Sequence, residues 1–194
     1  MYHEHNRTLQ DRFGSRDLAD RLVEKLTRER FGDGDREFIE AQNFFFLATA
    51  DAEGRPDCSF KGGAPGFAKV LAPDLLVFPD YDGNGMFKSL GNIRANPNVG
   101  LLFIAMGAQP RRLRVNGTAV VCEEDPLLEA FDGAQLIVRV TPRFIFPNCP
   151  RYIPSVELAQ QSPYLPREDA QPGPPEPAWK SRPEFRDVVP PRRR

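Results

Sequence analysis

Three residues spaced by two, Asp57, Ser59 and Lys61, stand in a run with strand character. Side chains alternate along a strand, so these three share one face while Cys58 and Phe60 take the other. At about 3.3 Å per residue the Ser59 hydroxyl and the Lys61 ammonium lie about 7 Å apart. Gly62-Gly63 follows, where a ligand can approach the backbone closely. A hydroxyl and a cation so placed suit an anion; the solvated face of an antiparallel sheet gives the same spacing. The second constellation runs from Leu75 to Leu90. A buried strand ending Phe78-Pro79-Asp80 enters the turn Gly83-Asn84-Gly85, which opens a helix carrying Lys88, Ser89 and Arg94. Free N–H groups and the helix dipole make such a junction a phosphate site. The spacing is neither GxxxxGK[ST] nor GxGxxG, so a generic anion site and a plain helix start both stay open.

Arg112 and Arg114 share a face with Asn116, opposite Leu113 and Val115, and suit either an anionic partner or pairing with Glu123 and Glu124. Cys149 stands in the rigid turn Pro147-Asn148-Cys149-Pro150. The only histidines, His3 and His5, sit in a terminus expected to be mobile. A Cys–His or Ser–His–Asp nucleophile and a histidine metal site are therefore not expected.

The elements that must position these groups follow from pattern. Residues 1–42 are charged and helical: Leu18, Leu22, Val23 and Leu26 recur at helical spacing after Ser15 or Asp17, and Asp35 can cap a second short helix through Gln42. Phe44 to Ala50 is a continuous apolar strand, Asp51 to Pro56 a turn, and Asp57 to Lys61 the returning strand. Phe67–Leu71 and Leu75–Phe78 form a second hairpin, and Asn84–Ala95 a helix stopped at Asn96-Pro97. Strands at Val99–Ala105, Leu113–Cys122 and Leu136–Phe146, with a short helix at Pro126–Phe131, complete six or seven strands. The fold class is mainly β, a small closed or half-closed barrel with peripheral helices. The expected division is a helical extension over 1–42, a barrel over 43–150 and a Pro-rich extension over 151–194. Residues 160–194 hold nine of the twenty prolines, and Tyr164, Trp179 and Phe185 favour a tail laid over this subunit or a partner.

Composition excludes several classes. Twenty-six Lys and Arg against twenty-seven Asp and Glu leave a net charge of -1, which argues against nucleic acid as the partner. No run approaches about 18–20 apolar residues, so no spanning helix and no membrane partner are expected. Cys58, Cys122 and Cys149 are an odd, scattered set, which argues against a disulfide framework or zinc site and places the chain in the cytoplasm by default.

Taken together, the run resembles the pyridoxamine 5'-phosphate oxidase-like, FMN-binding split-barrel family. The residues that carry this are Leu47 to Asp51 with Gly54-Arg55-Pro56, Ser59 to Gly63, Gly66-Phe67, Phe78-Pro79-Asp80, Gly83-Asn84, Leu90 to Phe103, and Arg112 to Gly117. The resemblance implies a homodimer with FMN in clefts between subunits and an oxidoreductase acting on a small molecule; the alternatives are a non-catalytic flavin-binding or redox-sensing module and a haem-handling relative. It implies cofactor contacts from Ser59, Lys61, Phe78, Pro79, Asp80, Gly83, Asn84, Lys88, Ser89 and Arg112, and assigns no catalytic residue. Where the oxidases begin the phosphate helix with Arg-Lys, this chain has Gly85 and Met86. Their C-terminal substrate motif is absent, and Asn148 to Ile153 suggests a separate branch.

Overall fold

A computed structural model describes residues 1–81, 83, 85–154, 175 and 178–189. Its elements are α1 (Glu4–Arg12), α2 (Arg16–Leu26), α3 (Asp33–Glu40), β1 (Phe44–Ala50), β2 (Pro56–Gly62), β3 (Lys69–Ala72), β4 (Leu75–Tyr81), α4 (Lys88–Ala95), β5 (Asn98–Ala105), β6 (Arg111–Cys122) and β7 (Ala134–Asn148). Short 3-10 turns lie at Pro126–Ala130 and Ala178–Ser181. Two compact units emerge: Arg28–Ala105 with Arg111–Asn148, and the described residues of Met1–Thr27, Met106–Pro110 and Cys149–Arg194.

The first unit holds one antiparallel sheet of seven strands in the order β2-β1-β5-β6-β7-β4-β3. The sheet curls on itself, because Phe45 of β1 meets Phe78 of β4 edge to face at 5.0 Å although three strands separate them in the ladder. Phe45 also packs on Phe67 and Phe103. These rings join Leu47, Leu76, Leu101, Leu113, Val115, Val140 and Ile145 in a single core, each buried side chain contributing about 1.5–3 kcal/mol. β6 alternates: Leu113, Val115 and Ala119 are inside, Arg114, Asn116 and Thr118 outside. A bulge at Asn116/Gly117 seats Gly117 directly against the Thr141 carbonyl, where no side chain fits.

The expected strands are all present, each within about three residues. The helices differ more. α1 lies in the terminus expected to be mobile, ahead of the two helices expected within 1–42. It is held to α2 within the second unit by the Arg7–Asp20 ion pair (2.6 Å) and by the Tyr2 hydroxyl donating to the Ala19 carbonyl (3.3 Å). α3 starts before Asp35: Gly32 is its N-cap, and the Asp35 carboxylate accepts from the Gly32 N–H (3.0 Å) and from Arg28 (2.6 Å). Of the Pro-rich tail, Trp179 and Phe185 pack edge to face, Phe185 is buried, and Arg21 of α2 donates to the Glu184 carbonyl at 2.7 Å. Tyr164 lies outside the described residues. Among the described residues no helix is long and apolar enough to cross a membrane.

Candidate functional site

The barrel is not closed. β2 is an end strand, and β3 pairs with β4 only as far as Val77. From Phe78 onward one side of β4 is therefore free of a strand neighbour, the setting in which Pro79 is tolerated within a sheet. Between these two edges lies a hollow of about 660 Å³, within the range of small-molecule sites.

Its walls come from β2 (Asp57 to Gly62), the end of β4 (Pro79, Asp80, Tyr81), the following turn (Gly83, Gly85, Met86, Phe87) and the start of α4 (Lys88, Ser89, Leu90), with Phe67 and Gln135. The alternation of β2 turns Asp57, Ser59 and Lys61 partly inward and leaves Cys58 and Phe60 exposed. Lys61 reaches across the opening to Asp80, Nζ to Oδ1 3.9 Å, with side-chain exposures of 20% and 12%. Burial raises the Asp80 carboxyl above its ordinary value, and the Lys61 ammonium opposes that rise.

α4 is fixed from behind. Leu90 and Ile93 enter the core, and buried Asn92 donates to the Thr49 hydroxyl at 3.0 Å. Its N-terminus is reached through Gly85 (φ 71°) and Phe87 (φ 46°), both left-handed, so the helix begins at Lys88 rather than at position 84. Left-handed backbone is strained for phenylalanine, and Phe87 makes no side-chain cap. The first N–H groups of α4 are thus left to whatever occupies the hollow.

The structure brings Ser59, Lys61, Pro79, Asp80, Gly83, Lys88 and Ser89 to this one hollow. Asn84 lies outside the described residues. Phe78 does not line the hollow; it is buried in the core against Phe45. Arg112 stands on the outer face of β6 opposite Ile104 and Asn148, because its neighbour Leu113 occupies the core; within one chain it does not line the hollow. Gln135 is a participant with no local signature. Asp80 pairs with Leu136 and Tyr81 with Ala134, so Gln135 is the extra residue of a bulge, which re-aims a side chain. Only the β4–β7 register could reveal it.

A family profile described as pyridoxamine 5'-phosphate oxidase matches residues 32–164, well over half of the sequence. The chain belongs to this family. Its mainly β, seven-stranded sheet is the split barrel of pyridoxamine 5'-phosphate oxidase-like proteins. Among solved structures it is similar to HupZ of Group A Streptococcus (18% identity over 60% of this chain and 93% of that one, TM-score 0.49). It is also similar to a candidate pyridoxamine 5'-phosphate oxidase of Lactobacillus delbrueckii (23%, 61% and 95%, TM-score 0.49). The heme storage protein HutZ of Vibrio cholerae is similar too (18%, 68% and 99%, TM-score 0.42). No curated protein matches the chain.

The residues of the hollow fit FMN by the chemistry of their donors. Lys88, the Ser89 hydroxyl and the first N–H groups of α4 suit a phosphate, and Phe67, Pro79, Phe87 and Leu90 suit a ring. Gly85 and Met86, in place of a cationic pair, leave the phosphate to backbone N–H groups and Lys88.

Proposed function

We propose that this chain binds FMN in the hollow between β2 and β4 and works as an FMN-dependent oxidoreductase on a small molecule. The observation that supports this is convergence: Ser59 and Lys61 from one edge strand, Asp80 from another and the start of α4 all border one cavity of about 660 Å³. When bound, FMN supplies hydride or electron transfer. The protein's part is to bind and orient. Lys88, Ser89 and the α4 N-terminus hold the phosphate, Lys61 donates to a ring oxygen, and Phe67, Pro79 and Leu90 exclude water from the ring.

The reading includes a homodimer. On the outer face of the sheet Phe44, Phe46 and Phe60 form an aromatic cluster, with Phe44 and Phe60 stacked at 5.5 Å. Phe60 (62% exposed), Met86 (70%) and Phe87 (49%) also border the hollow. Exposed rings in such a patch suit burial against a second copy, and Arg112, on the outer face, would reach a flavin only in that setting. The haem-handling alternative has no histidine ligand among the residues that line the hollow, since His3 caps α1, His5 lies within it and neither borders the cavity.

The test is the visible spectrum of the purified full chain, identification of the released chromophore, and sedimentation with FMN. A yellow dimer that oxidises a reduced nicotinamide or another small donor is the expected result. FMN binding with no turnover of any donor leaves only the binding-module reading. A colourless chain that takes up no added FMN overturns the proposal.

A further inference from the structure

Lys61 and Asp80 carry opposite charges at the split yet do not hydrogen-bond to each other: 3.9 Å exceeds the roughly 2.7–3.2 Å of an N–H···O bond. Among the described residues neither Nζ nor the carboxylate oxygens make another hydrogen bond. The ammonium keeps up to three donors and the carboxylate keeps its acceptor sites, although both are largely screened from water by the walls of the cavity. A half-buried carboxylate in that state is costly until a donor reaches it. What satisfies both is a ligand edge with a carbonyl oxygen and an N–H side by side. A phosphate does not, since Asp80 would repel it; the α4 end of the cavity is the better place for that group.

Resting on the FMN reading above, we infer that Asp80 is the recognition residue for the imide edge of the ring: its carboxylate accepts the N3–H while Lys61 donates to the neighbouring carbonyl. Asp80 thereby fixes which way round the ring lies and selects ligands that keep the imide proton.

The experiment measures dissociation constants of FMN and N3-methyl-FMN for the full chain and for Asp80→Ala and Asp80→Asn. A charge-assisted hydrogen bond corresponds to about tenfold or more in affinity. The wild type is expected to prefer FMN over the N3-methyl analogue by at least about that factor. Asp80→Ala is expected to lose most of the preference, while Asp80→Asn, which keeps an acceptor oxygen, retains part of it. An undiminished preference in Asp80→Ala overturns the inference while leaving FMN binding intact. Should Asp80→Ala fail to fold, N3–H exchange of ¹⁵N-labelled FMN on the wild type decides: protection supports the bond, and exchange as fast as in free FMN refutes it. Uridine monophosphate carries the same imide and a phosphate. Its binding as tightly as FMN overturns the assignment to a flavin, as does failure of the wild type to bind FMN at all.

Discussion

Replacing Lys61 by Met and Asp80 by Asn, singly and together, isolates what the two charges across the split contribute to the cofactor-free protein. At 3.9 Å, two unit charges interact by about 1 kcal/mol at the dielectric of water and about 4 kcal/mol at an effective dielectric of about 20. Side-chain exposures of 20% and 12% put this pair between those limits. Lys61→Met alone leaves a carboxylate that burial already disfavours, so it carries the largest loss. Asp80→Asn alone removes that burial cost together with the attraction, and its net effect is small. The double variant is therefore more stable than the sum of the single effects indicates, by about 1–4 kcal/mol. Urea unfolding at pH 7 and fixed protein concentration reads the coupling directly. The pH dependence has a defined sign. Because the folded Asp80 carboxyl is raised, the protonated form favours folding at low pH and that advantage is lost as pH rises through the folded value. The coupling to Lys61 appears over the same interval and is absent where Asp80 is protonated. Effects that add to within about 0.5 kcal/mol at pH 7 would refute the argument.

Two further outcomes test the scaffold. Gly117→Ala forces a methyl group onto the Thr141 carbonyl at the β6–β7 bulge and is expected to cost about 1–3 kcal/mol, read as a lowered urea midpoint; an unchanged midpoint would mean the bulge relaxes freely. Asp125, buried after β6, is held below the ordinary carboxylate range by Arg139, whose two nitrogens donate at 2.7 and 3.0 Å, with further help from the Leu127 N–H. Its contribution is present above the ordinary carboxylate value and lost as pH falls through the lowered one. Asp125→Ala should thus cost about 2–3 kcal/mol at pH 7, since Arg139 remains one-third exposed. The gap to wild type should narrow on acidification, and a gap independent of pH contradicts the ion-pair account.

What could be read from sequence was whatever has a short range. The apolar run Phe44 to Ala50, the alternation of Asp57, Ser59 and Lys61 against Cys58 and Phe60, and the proline stops each act over a few residues, and the strands follow them closely. α1 escaped because its polar sequence carries no apolar stripe and none of its residues is buried. The late start of α4 depends on two left-handed residues, one of them a phenylalanine that local preference would place elsewhere. Within the site, Lys61 and Asp80 each stood out, but their meeting is a property of how the sheet curls. The bulge that delivers Gln135, and the face that carries Arg112 outward, likewise depend on register between strands remote in sequence.

The strand order has a consequence for what holds the cavity together. β2 and β4 are held apart in the ladder by β1, β5, β6 and β7, so no backbone ladder joins one wall to the other. Only side chains span the gap there. A small molecule seated between the two walls would act as a clasp, and its affinity would carry part of the work of keeping the sheet rolled.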